Sequence, residues 1–184
     1  MNNRDNGKII SVFGGSRIQR HDKAWQEAVE AGRLLAEAGF TVANGGYGGL
    51  MEAVSEGARL AQGHVIGVTC TIFDGQRTGA NPYVTREVQT ATLAERMQRL
   101  AALADGYLVL RGSVGTLAEL TYVWSLFLAG EVKPRPLILL GEDYERMLAA
   151  LCETTALGQK EMRWVQVAAT PSEAVERLCT SLLR

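Results

Sequence analysis

The sequence has no excess of charge of either sign. Its 184 residues include 19 Lys and Arg against 20 Asp and Glu, for a formal net charge of −1 at pH 7. Such a balanced chain lacks the electrostatic attraction that holds proteins on nucleic acid or on an anionic membrane surface. No apolar run approaches the roughly 18 residues that a membrane-spanning helix needs. We therefore expect neither nucleic acid nor a membrane as a partner.

Cysteine is scarce and shows no paired spacing. Cys70, Cys152 and Cys179 are odd in number and far apart, and no CxxC pair is present. This pattern is typical of small buried side chains in a reducing compartment, so a cytoplasmic location is expected. Residues 1–7 are polar and lack the apolar region of a signal peptide, which predicts a disordered lead-in. The sequence predicts no metal site and no cofactor.

Two common nucleotide-binding motifs are missing. No Gly-rich run continues into the GxxxxGK[ST] pattern, which disfavours hydrolysis of a nucleoside triphosphate. The first predicted strand-to-helix turn reads Gly14-Gly15-Ser16-Arg17 rather than GxGxxG. The second predicted strand is followed by Asn44 instead of an acidic residue, so a nicotinamide cofactor is also disfavoured.

Apolar strand-like runs alternate with segments of helical period along the whole chain. The predicted strands are Lys8–Phe13, Phe40–Ala43, His64–Thr69, Tyr107–Leu110, Pro136–Leu140 and Trp164–Ala168. The predicted helices are His21–Ala38, Gly49–Ala61, Gln89–Leu103, Gly115–Ala129, Tyr144–Glu153 and Ser172–Leu183. Strands rich in Val, Ile and Leu without polar alternation are typical of parallel sheets buried on both faces. We predict an α/β fold with a single Rossmann-like, doubly wound parallel sheet of about six strands, as one domain over residues 1–184.

The stretch Cys70–Thr85 has no regular pattern and is long for a connection in a compact domain. It is predicted to be either a functional lid or rim, or a surface loop without function.

Three Gly-containing turns are predicted to follow strands at one edge of the sheet: Gly14–Arg17, Asn44–Gly49 and Arg111–Thr116. In doubly wound sheets, ligands bind beyond the carboxyl ends of the strands, where the strand order reverses. The unpaired N–H groups and the positive dipole end of a following helix favour an anion there. We therefore predict that the three turns converge on one crevice that binds a phosphate-bearing small molecule, a nucleotide.

The predicted phosphate- or nucleotide-binding residues are Gly15, Ser16, Gly45, Gly46, Gly48, Gly49, Gly112, Ser113, Val114, Gly115 and Thr116. The alternative is that these glycines serve only the tight strand-to-helix turns that other residues do not permit.

Arg96 is unusual on the predicted helix Gln89–Leu103 because it projects into an apolar stripe. That stripe has helical spacing and consists of Leu93, Met97, Leu100 and Leu103. A guanidinium that points at the core needs a carboxylate or phosphate partner, since burying it unpaired is costly. Arg96 is interpreted either as a ligand for phosphate or sugar in the crevice, or as a structural salt bridge or a side chain that extends to water. Glu95 and Arg99 beside it have the spacing of an i,i+4 pair.

Glu119 also has two interpretations. If a helix opens at Thr116, the Thr116-x-x-Glu119 spacing is that of a capping box, and the carboxylate bonds the Thr116 backbone N–H. The predicted apolar stripe lies on the opposite side, at Leu117, Leu120, Trp124 and Leu128, which predicts an exposed Glu119. Alternatively, a carboxylate in the first turn of an anion-binding helix faces the ligand, where it can stabilise positive charge on a sugar or orient water. Glu52 is ambiguous in the same way, and His21 and His64 have no partner pattern.

Together these motifs resemble the LOG ("Lonely Guy") family of nucleotide phosphoribohydrolases, long labelled "possible lysine decarboxylases". Gly45–Glu52 is similar to the family's GGGxxGLMG turn, and Arg111–Glu119 is similar to its PGGxGTxxE turn. Glu95-Arg96-Met97 matches the E-R-K segment on the preceding helix, and Val12–Ser16 looks like the first-turn signature. The resemblance runs from about Ile9 to Leu140.

The resemblance implies hydrolysis of the N-glycosidic bond of a purine nucleoside 5'-monophosphate, to free base and ribose 5-phosphate. It implies Arg96 and Glu119 as the catalytic residues and a homodimer as the assembly, for which the apolar Val123, Trp124 and Phe127 offer some support. The chain departs from the family pattern at Glu52, Met97, Arg111 and Ser113. The alternative is a non-catalytic carrier of a nucleotide or of molybdenum cofactor, and a purely structural module is a third class.

Decarboxylation of lysine is disfavoured because that chemistry ordinarily needs pyridoxal phosphate on a Schiff-base lysine. The chain has only four lysines, and none is expected in or beside the three turns: Lys8, Lys23, Lys133 and Lys160.

Overall fold

A computed structural model of the protein describes residues 7–73 and 79–183. Its strands are β1 Ile9–Phe13, β2 Thr41–Asn44, β3 Val65–Cys70, β4 Arg86–Thr90, β5 Gly106–Val109, β6 Leu137–Leu140 and β7 Val165–Ala168. They form one parallel sheet in the order β4-β3-β2-β1-β5-β6-β7. The order reverses between β1 and β5, so the predicted doubly wound fold is confirmed.

Helices cover both faces of the sheet. They are α1 Lys23–Glu37, α2 Leu50–Leu60, α3 Leu93–Leu103, α4 Val114–Ala129, α5 Asp143–Thr154, α6 Gln159–Met162 and α7 Pro171–Leu182. The α1, α2 and α7 helices pack on one face around Ile10, Val42 and Leu108. The α3, α4 and α5 helices pack on the other face around Phe13, Tyr107 and Leu139. Two-sided burial explains why the central strands carry apolar side chains in succession.

The predicted count of about six strands was wrong, because β4 forms a seventh. The sequence of β4, Arg-Glu-Val-Gln-Thr, is mostly polar and lies at the sheet edge, where few of its side chains are buried. Residues 89 and 90 therefore belong to a strand, and α3 begins at Leu93 rather than at the predicted Gln89. The short helix α6 was also missed.

The irregular stretch Cys70–Thr85 is only partly described. Cys70 ends β3 and Thr71–Phe73 form one 3-10 turn, whereas residues 74–78 lie outside the described residues, as do residues 1–6 of the predicted lead-in. The three cysteines are free thiols, and Cys70 is buried as expected, whereas Cys152 and Cys179 are only half-buried. In the described part of the chain no helix has the length and apolar character to cross a membrane.

Candidate active site

The three predicted turns meet at the carboxyl edge of the sheet, across the point where the strand order reverses. The Gly15 N–H donates to the Arg111 carbonyl at 3.0 Å, which joins the first turn to the third. The Leu50 N–H donates to the Gly15 carbonyl at 2.8 Å, which joins the second turn to the first. Gly49 has a φ of +68°, and a Cβ there would lie 2.3 Å from the Gly15 carbonyl oxygen. Only glycine allows this approach, so the first turn is held between the other two.

A crevice of about 160 Å³ opens between α3, α4 and the first turn. Its lining includes five of the predicted ligand-binding residues: Gly15, Ser16, Ser113, Gly115 and Thr116. Arg96 and Glu119 lie in the same lining, together with Met51, Phe73, Leu93 and Met97. The structure therefore brings together the predicted catalytic pair and parts of the first and third turns. Their roles in binding and catalysis stay predictions.

The glycines of the second turn stand behind this crevice rather than in its lining. The Gly46 N–H donates to the Asn44 side chain at 2.7 Å, and the Gly46 carbonyl accepts from the Asn81 N–H at 2.7 Å. These backbone groups are already engaged within the protein. The second turn therefore packs behind the crevice, and its anion-binding role stays a prediction.

The beginning of α4 is arranged differently. Ser113 is its N-cap and makes no side-chain capping bond, and Val114 is 81% exposed. Because the first N–H groups of a helix have no intrahelical partner, an exposed and uncapped start is suited to an anion. Gly112 lies on the opposite side of this turn, in a neighbouring cavity.

Arg96 is buried and held by several protein groups. Its Nε donates to the Val68 carbonyl at 2.8 Å, and its Nη1 donates to Glu119 Oε1 at 3.2 Å. The guanidinium also lies 5.7 Å from the centre of the Tyr47 ring. A Cβ on Gly45 would be 1.6 Å from Arg96 Nη2, so the space beside Gly45 is what admits the guanidinium. The prediction of a core-facing Arg with a carboxylate partner is met by these contacts.

Glu119 is buried too, since its side chain is 11% exposed beside an Arg96 side chain that is 8% exposed. Burial raises the pKa of Glu119 to about 7, although the Arg96 charge and its hydrogen bond act in the opposite direction. The unfolded chain has the ordinary carboxyl pKa of 4.5. This group therefore contributes stability below about pH 4.5, and that contribution is lost as the pH rises through about 7.

The predicted capping role and exposure of Glu119 were wrong. The α4 helix begins at Val114 and its N-cap is Ser113 rather than Thr116, so Glu119 lies beyond its first turn. The residues that α4 buries are Thr116, Leu120, Val123, Trp124 and Phe127, whereas Leu117 and Leu128 are exposed. The capping box is on α3, where Thr92 accepts from the Glu95 N–H and Glu95 accepts from the Thr92 N–H. Glu95 therefore caps that helix instead of forming the predicted pair with Arg99.

Several contacts around the site were missed. The Tyr47 hydroxyl accepts from the Cys70 N–H and donates to the Cys70 carbonyl, which places its ring next to Arg96. Glu52 forms an ion pair with Arg20 at 3.1 Å. The i,i+4 spacing of Glu52 and Glu56 is visible in the sequence, but their shared partner Arg20, in the loop after the first turn, is not. His21 and His64 are exposed and lie outside the crevice lining.

A larger cavity, of about 500 Å³, lies on the other side of the third turn. Its floor is apolar, with Leu110, Leu140 and Tyr144 at the ends of β5 and β6 and the start of α5. Its rim carries Arg111, which lies 3.6 Å from Asp143, and Lys23, which pairs with Glu27 at 3.0 Å. The expectation that no lysine lies beside the three turns was therefore wrong for Lys23.

No three His, Cys, Asp or Glu side chains within residues 7–73 and 79–183 are grouped so that they could hold a metal ion.

Comparisons with known proteins agree with the sequence motifs. Residues 51–178 match the protein family described as "Possible lysine decarboxylase". A probable cytokinin riboside 5'-monophosphate phosphoribohydrolase of Oryza sativa subsp. japonica is 35% identical over 153 residues, 81% of this chain and 66% of the relative. A second probable enzyme of that description from the same plant is 32% identical over 92% of this chain and 69% of the relative. The chain thus spans about two thirds of the length of these plant relatives.

Solved structures also resemble this fold. The molybdenum cofactor binding protein from Rippkaea orientalis superposes with a TM-score of 0.76 over 96% of this chain and 98% of that chain. Its sequence identity is 23%, so this likeness concerns the fold.

Proposed function

Since this chain belongs to the family described as "Possible lysine decarboxylase", whose members include phosphoribohydrolases, we propose that it hydrolyses a purine nucleoside 5'-monophosphate. The products are the free base and ribose 5-phosphate. The observation that carries the proposal is the buried Arg96–Glu119 pair in the same crevice as the uncapped start of α4.

In this proposal the 5'-phosphate binds at the start of α4. The N–H groups of residues 114–116 and the helix dipole supply the attraction, and Ser16 and Ser113 offer hydroxyls beside them. Glu119 lies one helical turn further on and lines the same crevice, so the ribose is placed beside it in this proposal.

Hydrolysis breaks the bond between C1' of the ribose and the base nitrogen, and positive charge develops on the ribose ring. The ionised Glu119 carboxylate stabilises that charge or orients the attacking water. Water adds to C1', its proton is released, and the departing base accepts a proton at nitrogen. Arg96 donates to Glu119 Oε1 and so keeps the carboxylate in one position. Water supplies both the oxygen that bonds to C1' and the proton that the departing base takes up, so the reaction needs no further reactant.

Incubation with a panel of purine nucleoside 5'-monophosphates, including cytokinin riboside forms, tests the proposal directly. We expect release of free base from at least one member of the panel and none from the matching nucleosides, which lack the phosphate. Absence of base release from every monophosphate would refute hydrolysis.

A second candidate function is a carrier that binds a pterin-type cofactor without turnover. The cavity of about 500 Å³ beside the third turn is the observation that favours it, because it has an apolar floor and a charged rim. The fold that the chain shares with the molybdenum cofactor binding protein is compatible with it. Calorimetry with AMP, GMP and a molybdopterin-type ligand separates the two, since tight binding without product selects the carrier.

The chain does not fit the decarboxylase chemistry in its family's description. A Schiff-base lysine works best when its surroundings lower its pKa. The hydrogen bond from Lys23 to Glu27 instead raises the pKa of Lys23, and its side chain is 89% exposed. Lys8 pairs with Asp105 near the opposite end of β1.

The raised pKa of Glu119 predicts the pH dependence of hydrolysis. If the ionised carboxylate acts on the ribose, kcat/KM should rise with pH through a midpoint near 7. Initial rates from pH 5 to 9 measure it, and Asp105→Asn, far from the crevice, is the control that should keep the same profile. A profile without this acidic limb would mean that the ionisation of Glu119 does not govern turnover.

We also expect a homodimer. The apolar residues that were expected to support a dimer are buried within the protomer, so they do not form the contact surface: Val123, Trp124 and Phe127. The exposed large apolar side chains of these two helices are Val114, Leu117 and Leu128 on α4 and Leu93 on α3. Light scattering at micromolar concentration should give twice the chain mass, and Leu128→Glu should shift it towards monomer because a charge cannot be buried there unpaired. A wild-type monomer would contradict this expectation.

A further inference from the structure

The Arg20 side chain contacts three parts of the protein: α2, α1 and the segment that precedes β4. Its guanidinium bonds Glu52 at 3.1 Å and lies 3.1 Å from a carboxylate oxygen of Glu56, both on α2. It also lies 4.8 Å from the centre of the Trp25 ring on α1. Tyr83, on the segment that precedes β4, also interacts with Arg20 and raises its pKa.

The loop that carries Arg20 and two of the parts it contacts are connected to the candidate site. This loop leaves β1 through Gly15 and Ser16 and ends at Asp22, and Ser16 lines the crevice. The segment that carries Tyr83 also carries Asn81, which donates to the carbonyls of Gly46 and Tyr47. Glu52 is in the first turn of α2, and Gly49, the N-cap of that helix, packs against Ser16.

We propose that Arg20 is a positioning residue that fixes the loop from Ser16 to Asp22 so that Ser16 faces the ligand in the crevice. The proposal rests on the proposed binding of a nucleoside monophosphate, which it extends to a residue outside the crevice. It also accounts for Glu52, one of the positions that departs from the family pattern, as the partner of Arg20.

The physical reason is the cost of ordering a loop. The loop is exposed, and its own hydrogen bonds are short-range, such as that from the Gln19 N–H to Asp22 at 2.8 Å. Without Arg20 the loop would become ordered only when the ligand binds. The free-energy cost of ordering the loop would then be subtracted from the binding free energy, and the affinity would fall. Glu119 and Arg96, which holds the Glu119 carboxylate in position, are on other elements, so the chemical step itself should not change.

The test compares Arg20→Ala with Arg33→Ala. Arg33 is a matched control because it also bonds two glutamates, Glu30 and Glu37, but within α1 and away from the crevice. Calorimetric titration with AMP should show about three- to tenfold weaker binding for Arg20→Ala and unchanged binding for Arg33→Ala. In hydrolysis assays KM should rise by a similar factor while kcat stays within about twofold. Arg20→Lys should recover part of the affinity, since it keeps the charge but loses the planar fork.

Hydrogen exchange without ligand gives a readout that does not depend on hydrolysis. Backbone amides from Ser16 to Asp22 should exchange faster in Arg20→Ala than in the wild type or in Arg33→Ala. If Arg20→Ala fails to fold, Glu52→Gln replaces it, because this variant removes the charge of one partner of Arg20. It should also weaken AMP binding and speed up amide exchange in the loop, but by less.

The outcomes separate the two proposals. Equal AMP affinity in the wild type and Arg20→Ala, or a loss confined to kcat, overturns the role of Arg20 and leaves the proposed function standing. A wild type that neither binds nor hydrolyses AMP or the other monophosphates overturns the proposed function. In that case unchanged exchange in Arg20→Ala would overturn the ordering role as well.

Discussion

Glu119→Gln should lower the turnover of a nucleoside monophosphate by roughly 10²- to 10⁴-fold, the usual effect of removing one essential group from the reacting centre. Glutamine has nearly the same shape but cannot carry the negative charge that opposes the developing charge on the ribose. Melting should stay close to the wild type or rise at neutral pH, because burial of the Glu119 carboxylate already disfavours its charged form. Steady-state kinetics and thermal unfolding of the same preparations measure both quantities.

Glu95→Gln is the matched control for this variant. Glu95 is the acid of the true capping box on α3, where glutamine also accepts the backbone bond. It should retain activity, with a loss of stability below about 1 kcal/mol. Near-wild-type turnover in Glu119→Gln would refute a catalytic role for this carboxylate, and the carrier function would become the better explanation.

Gly45→Ala should disrupt the site from behind, without touching the ligand. The added Cβ would lie 1.6 Å from Arg96 Nη2 and 2.6 Å from Met51 Sδ, which no real structure permits. The guanidinium has to move away, and it then loses its bonds to the Val68 carbonyl and to Glu119. We expect a loss of about 1–3 kcal/mol in the free energy of unfolding from overpacking. We also expect turnover to fall by at least about tenfold, since misplacement of catalytic groups by about 1 Å has effects of this size or larger.

Gly48→Ala provides the contrast within the same turn. A Cβ on Gly48 would meet only Glu52 Oε2, at an ordinary 3.7 Å. If the second turn supports Arg96, Gly48→Ala should be close to wild type in both melting and kinetics while Gly45→Ala is impaired. Equal impairment of the two variants would instead favour the original prediction that both glycines approach a bound phosphate.

Local patterns were sufficient for the architecture. Buried parallel strands have to be apolar in succession, and helices that cover them have to be apolar at helical spacing, so these features can be read without a structure. The position of Arg96 on the core side of its helix followed from the same periodicity and is confirmed. The strand β4 was not predicted because an edge strand needs few apolar residues. Its residues are held in place by backbone pairing with β3.

The environment of individual groups depended on contacts between residues far apart in the chain. The N-cap of α4 is Ser113 rather than Thr116, and Glu119 is a buried partner of Arg96 instead of an exposed cap. Gly45 is needed because a side chain from a helix about fifty residues later fills the space beside it. Arg20 and Glu52 are 32 residues apart and come together only when the first turn packs on α2. Spacing along the chain reports the direction in which a side chain leaves its own helix or strand, whereas its partner, burial and pKa are set by the other elements that fold against it.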